Sequence, residues 1–321
     1  MLRPIACIIF ATIALGLLTA SADDRLANQR AVFESAYDKI RHGEQIDPDA
    51  LRERLRGYPL LPYLEYQLLA RDMGRVTPAE AQAFWEQYGD LPLERRFRGR
   101  WLRELAKRRD WERFAALHQG SGSATLRCYG LRARRHQGGV TEDWLNEARE
   151  LWTVGSSQVS ACDPVFTELY ERDALTREQR WERMRRLMAA DERNLARALR
   201  ARLHPDDREW LDRWLELVRR PAHVLAEPPF DAATERGQEL VVDGVRRLAR
   251  QDRDLAEARL ERLVGADVLA RDTEVELRRT IALRAAYSRG DDALDRLLAL
   301  PPQARDSDVT EWTARVAVGR Q

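Results

Sequence analysis

The chain has 321 residues, 33% of them charged, with 54 Lys and Arg against 53 Asp and Glu, so its net charge is close to zero at +1. A balanced charge gives no broad basic face for nucleic acid, although runs such as Arg132-Ala133-Arg134-Arg135 raise the question. Acids are interspersed throughout, and the expected arrangement is a solvated helix face laced with ion pairs. Lysine occurs only at Lys39 and Lys107. Ala, Leu, Arg and Glu dominate and β-branched residues are sparse, a composition of helix formers.

The N-terminus carries one positive charge, Arg3, then a largely apolar run of 14 residues from Ile5 to Leu18, then the small residues Ala20-Ser21-Ala22. That order predicts a secretory signal peptide over residues 1–22, cleaved after Ala22. Fourteen residues rise only about 21 Å as a helix, too short to span a bilayer. Cys7 lies early in the apolar run, where a lipidation site would place its cysteine after it. Residues 23–321 are therefore expected in the periplasm without membrane insertion, and their basic and acidic residues balance because Arg3 leaves alone.

Helical punctuation recurs along the mature chain. Thr77-Pro78-Ala79-Glu80 reads as a capping box with proline in the first turn, opening a helix through Phe84, Trp85 and Tyr88. Thr176 and Gln179 repeat the device ahead of Trp181, Met184, Leu187 and Met188, and Thr141 caps a helix burying Trp144, Leu145, Ala148 and Leu151. Pro205 and Pro221 mark further starts, and Gly138-Gly139 ends a helix. The pattern predicts helices over 24–42, 47–56, 60–72, 78–88, 93–108, 110–117, 123–136, 141–153, 176–189, 191–203, 206–219, 231–250, 253–264, 270–287, 290–299 and 307–318. No segment alternates like a half-buried strand; Glu239 to Val245 comes nearest, within flanks that read as helix. Short helices with one apolar stripe each bury that stripe by stacking as hairpins, so the expected fold is an all-α solenoid with no strict repeat period.

The nine tryptophans fall mostly on these stripes. Two placements fit: indoles lining a sugar-binding groove, or indoles wedged between helices as core, and their spacing with Leu and Ala favours the core. The five histidines are scattered without metal-ligand spacing, and there is neither a glycine-rich phosphate loop nor a Gly-x-Ser-x-Gly elbow. No cofactor, metal or catalytic residue is expected. Asp206 and Asp207 follow Pro205, where a helix N-terminus favours anions. Cys128 and Cys162 are the two mature cysteines and allow one bridge, worth about 3–4 kcal/mol on the chain-entropy model; two free buried thiols are the alternative.

Several segments resemble the N-terminal region of the soluble lytic murein transglycosylase family. Tyr58-Pro59-Leu60-Leu61-Pro62-Tyr63-Leu64-Glu65-Tyr66 is similar to that family's Tyr-Pro-Leu-x-Pro-Tyr-Leu-Glu-Tyr signature. Arg96-Phe97, Trp101-Leu102, Leu105-Ala106, Asp110-Trp111, Cys128-Tyr129, Glu150-Leu151-Trp152 and Ala161-Cys162-Asp163-Pro164-Val165-Phe166 follow in family order, and Ala249-Arg250-Gln251-Asp252 and Glu311-Trp312 extend the likeness. The resemblance implies a right-handed, U-shaped superhelix over 23–321, a disulfide between Cys128 and Cys162, and structural roles for Tyr58, Pro59, Pro62, Tyr63, Glu65 and Tyr66. In complete family enzymes, one glutamic acid cleaves the β-1,4 bond between N-acetylmuramic acid and N-acetylglucosamine, giving a 1,6-anhydro product without metal or cofactor. The family's catalytic Glu-Ser pair with a downstream Gly-Leu-Met-Gln has no counterpart here; the one Glu-Ser dipeptide, Glu34-Ser35, lies in the first mature helix. The chain stops at Gly319-Arg320-Gln321 inside what should be an unfinished hairpin, which suggests a fragment of a longer protein or a gene truncated before its catalytic part. The expected role is a non-catalytic scaffold that positions peptidoglycan glycan strands, or partner proteins such as cell-wall enzymes, around a catalytic domain; a free-standing periplasmic helical-repeat adaptor for cell-wall proteins is the alternative.

Overall fold

The structure is a computed structural model that describes residues 24–118, 120 and 123–319. The expected signal peptide and Cys7 lie outside the described residues. Among the described residues there are helices and turns and no strand. No described helix is long and apolar enough to cross a membrane. Two compact units emerge, with boundaries inside two helices: one holds the residues up to Trp144 plus Val159–Val165, the other Leu145–Gln158 plus Phe166 onward.

The first unit contains α1 (24–41), α2 (Pro48–Arg54), α3 (Leu61–Arg71), α4 (Pro78–Tyr88), α5 (Leu93–Arg108), α6 (Trp111–Leu117) and α7 (Ala124–Gly138). α4 opens as its sequence dictates: the Thr77 hydroxyl accepts from the Glu80 N–H, and the Glu80 carboxylate accepts from the Thr77 N–H at 2.7 Å. α5 supplies the centre of this unit, burying Leu93, Phe97, Trp101 and Leu105, each one helical step of four apart, with Leu102 and Ala106 beside them. Phe84 of α4 meets Phe97 with ring centres 4.5 Å apart, and Leu126 and Ala133 of α7 join the same cluster. Neighbouring helices in the chain pack on one another, α4 on α5, α5 on α6, α6 on α7, and α3 and α7 also reach α5. A smaller cluster of Ala36, Ile40, Leu51, Leu55 and Leu64 closes the N-terminal end.

α8 (Glu142–Trp152) and α9 (Asp163–Glu171) carry the boundary between the units, and a 3-10 turn, Ser160–Cys162, precedes α9. The second unit continues with α10 (Arg177–Ala189), α11 (Arg193–Leu199), α12 (Pro205–Arg219), α13 (Pro221–Val224), α14 (Glu235–Gln251), α15 (Arg253–Gly265), α16 (Arg271–Tyr287), α17 (Ala293–Leu298) and α18 (Ser307–Gly319). α14 is its central element: Leu240, Val241, Val245, Leu248 and Ala249 are buried, and α12, α13, α15 and α16 pack on it. Gly244 allows α12 that close, since a Cβ there would lie 2.9 Å from a Leu217 methyl. The all-α stack of consecutive hairpins is as expected.

The differences from expectation are local. α9 lies outside the expected helices; proline in its first turn loses no intrahelical bond, and Val165, Leu169 and the half-buried Phe166 provide the buried stripe. The helix expected from 231 begins at Glu235. Asp231 and Thr234 draw the backbone into a turn first: the Asp231 carboxylate accepts from Ala233 N–H at 2.9 Å, and the Thr234 hydroxyl donates to Asp231 O at 2.8 Å. The helix expected over 191–203 ends at Leu199 and tightens into a 3-10 turn, Arg200–Arg202.

A buried polar network holds the second unit. Asp207, in the first turn of α12, is fully buried and accepts two bonds at 2.8 Å from Arg177 of α10, with Arg236 of α14 at 3.3 Å. The Arg236 guanidinium stacks 3.9 Å from the Trp181 ring centre, and the Trp181 indole N–H donates to Glu239 at 3.0 Å. Trp214 donates to Asp243 at 2.7 Å, and Arg247 bridges Asp243 and Asp191. Asp207 is thus more than a charge favoured by a helix terminus. It is the counter-ion of two arginines from neighbouring helices.

Candidate functional site

The signature segment turns at Tyr58-Pro59 and enters α3, with Pro62 in its first turn and buried. Tyr58 packs on Phe33 of α1 with ring centres 5.7 Å apart. Tyr66 is buried, its hydroxyl 3.5 Å from an Arg100 nitrogen, whereas Tyr63 and Leu60 face solvent at 43% and 41% exposure. Glu65 is 5% exposed and accepts from Arg52 Nε of α2 at 2.6 Å. The Tyr88 hydroxyl of α4 lies against the same carboxylate, and burial, with Glu65 second, pushes Tyr88 well above the ordinary tyrosine range. The buried acid of the signature is therefore a crosslink between α2, α3 and α4.

Cys128 and Cys162 form a disulfide with Cα atoms 5.0 Å apart, tying α7 to the 3-10 turn within the first unit. The free-thiol alternative is closed. Glu34 and Ser35 are exposed on α1. Among the described residues no group of three His, Cys, Asp or Glu side chains comes together to hold a metal ion.

Six of the tryptophans are buried, Trp101, Trp111, Trp144, Trp152, Trp181 and Trp214, and the indole N–H groups of the last four find partners inside the protein. Trp144 donates to Leu131 O at 2.7 Å and Trp152 to the Tyr170 hydroxyl at 2.7 Å. They serve as core wedges, not as an open sugar platform.

A concavity rich in arginine and tryptophan lies beside the disulfide in the first unit. It has a volume of about 420 Å3 and is lined by Arg109, Trp111, Arg132, Arg135, His136, Trp144, Pro164 and Val165. Arg109 ends α5 in the left-handed region (φ 59°), which lets the chain turn straight into α6. α6 and α7 approach closely because position 130 is glycine: a Cβ there would lie 2.9 Å from the His118 ring. Arg132 stacks between Trp111 and Tyr129, its guanidinium carbon 4.9 and 5.4 Å from the two ring centres. Burial pulls Arg132 below the ordinary arginine range, and the nearby charge of Arg109 acts in the same direction. The run 132–135 is thus not uniformly a solvated face: Arg134 and Arg135 are exposed, but Arg132 is half-buried on aromatic rings. Its position three residues after Tyr129, on the flank of the buried stripe, was the available signal.

No protein-family profile matches the chain. Over 315 residues it is 29% identical to the soluble lytic murein transglycosylase of Escherichia coli, covering 94% of this chain and 48% of that protein. The Salmonella typhimurium protein of the same description is 26% identical over 281 residues, 87% of this chain and 42% of the relative. Among solved structures, an inactive mutant of the lytic transglycosylase Slt from Pseudomonas aeruginosa superposes with a TM-score of 0.71 at 30% identity, covering 90% of this chain and 47% of that one. The complex of a 70-kDa soluble lytic transglycosylase with bulgecin A gives a TM-score of 0.73 at 23% identity, over 92% of this chain and 53% of that one, and supports the fold. The chain spans about half the length of the curated relatives it matches.

Proposed function

We propose, from this homology to the soluble lytic murein transglycosylases along nine-tenths of the chain, that residues 23–321 are the superhelical scaffold part of such an enzyme, exported to the periplasm. The scaffold contacts peptidoglycan through polar helix faces and positions it for a lysozyme-like catalytic domain. It holds the polymer and does not cut it. The observation that carries this reading is the match itself, reinforced by the signature at 58–66 and by the disulfide at the expected pair. The acids that are buried, such as Glu65 and Asp207, are committed to arginines, which leaves them unsuited to protonating a glycosidic oxygen.

The test uses purified residues 23–321 and murein sacculi. The protein should sediment with the insoluble wall and release no 1,6-anhydro-muropeptides over hours. Release of anhydro products would overturn the non-catalytic assignment, and failure to sediment would overturn wall contact.

A further inference from the structure

The cavity beside the disulfide carries more positive charge than its own residues neutralise. Several arginines of the second unit meet acids: Arg177 meets Asp207, Arg185 meets Glu239, Arg247 meets Asp243, and Arg278 meets Glu274. Arg109 and Arg132 have no carboxylate partner among the described residues. The nearest acid in sequence, Asp110, is taken by Arg113 at 2.6 Å and by its N-capping role on α6. Arg135, on the rim, has a partner of its own. Stacking on Trp111 and Tyr129 engages the face of the Arg132 guanidinium and leaves its in-plane N–H donors for another group. The buried indoles of Trp111 and Trp144 make the floor apolar, which lowers the local dielectric and strengthens any charge-assisted bond formed there.

Two adjacent guanidiniums over an apolar floor fit a planar, two-oxygen anion better than a neutral sugar. A guanidinium matches a carboxylate with two parallel N–H···O bonds. A sugar ring would need an open indole face, and Arg132 already covers that of Trp111. The volume of about 420 Å3 suits a short peptide end. We infer that this cavity is a subsite for a carboxylate on the peptide branches of the wall polymer. The inference rests on the wall-contact reading above and names the chemical group that the scaffold would grip.

The test measures binding to the mature chain by calorimetric titration. The ligands are a soluble disaccharide-peptide with free carboxylates, the same compound with its carboxylates amidated, a neutral N-acetylglucosamine oligomer, and inorganic phosphate. The acidic compound should bind about tenfold or more tightly than its amidated form. Arg132→Gln and Arg109→Asn should each erase that difference. Asn suits the left-handed backbone at 109, so that variant keeps the fold even if the first disturbs the Trp111 stack. Equal affinity for acidic and amidated forms, or an unchanged preference in Arg109→Asn, would overturn the inference. Phosphate competing as well as the acidic compound would overturn the assignment to wall peptides. Sacculi binding that persists while the preference is absent would leave the scaffold reading standing and remove this one; loss of sacculi binding with the preference intact would do the reverse.

Discussion

Replacing Asp207 by Asn should destabilise the second unit out of proportion to a one-atom change. The carboxylate is 1% exposed, while Arg177 is 50% and Arg236 is 18% exposed. Removing one member of a buried pair costs about 3–5 kcal/mol, because the partner charge stays desolvated. Arg177 can turn to water, so its share is small, but Arg236 is held against Trp181 and cannot. The low end of that range, about 3 kcal/mol, is therefore expected, equivalent to a melting temperature lower by about 6–12 °C for a unit of this size. Urea denaturation followed by circular dichroism would measure it, with Arg236→Met as the companion change. The double variant should recover part of the loss, since it removes the stranded cation and leaves a thioether on the indole. A cost below about 0.5 kcal/mol, the range of a surface pair, would refute the argument that this acid is a buried counter-ion.

Two further outcomes follow from the structure. Reducing the bridge between Cys128 and Cys162, 34 positions apart, should cost the first unit about 3–4 kcal/mol; superimposable denaturation curves with and without dithiothreitol would contradict this. Asp191 is held below the usual carboxylate range by its bond from Arg247, Glu80 by the Thr77 N–H, and Glu182 by Arg186. A carboxylate with a folded pKa below its unfolded value stabilises the fold above the unfolded value and stops doing so as pH falls through the folded one. The melting temperature should thus hold from pH 7 to 5 and decline below about pH 4, and equal melts at pH 7 and pH 3 would exclude these bonds.

Helix starts were the most legible part of the sequence, since a capping box is a local device. Thr77 with Glu80 and Thr176 with Gln179 both form the reciprocal bonds that their spacing implies. The tryptophan stripes were legible for the same reason: Trp144, Trp181 and Trp214 share faces with leucines and are buried with them. What stayed hidden was which charges go inside. With a third of the residues charged, Asp207 looks like its exposed neighbour Asp206, and only the tertiary approach of Arg177 and Arg236 separates them. Arg183 is a second case. It is 4% exposed, lies 4.6 Å from the Trp152 ring centre and donates to the Trp152 carbonyl, and burial depresses its pKa. Its place on the helix face of Met184 and Leu187 would have passed as a polar interruption. The Arg109–Arg132 cavity was hidden likewise, because it needs a left-handed turn, a glycine contact and two aromatic rings from separate helices.

The bridge between α7 and the turn before α9 has a consequence for the covalent wiring of the polypeptide. Ser156 and Ser157 sit exposed in the connection between α8 and that turn, inside the stretch that the two sulfurs enclose. An enzyme that nicks the backbone there produces two pieces by sequence, yet they stay one molecule until a thiol is added. The chain can be opened in the middle without coming apart.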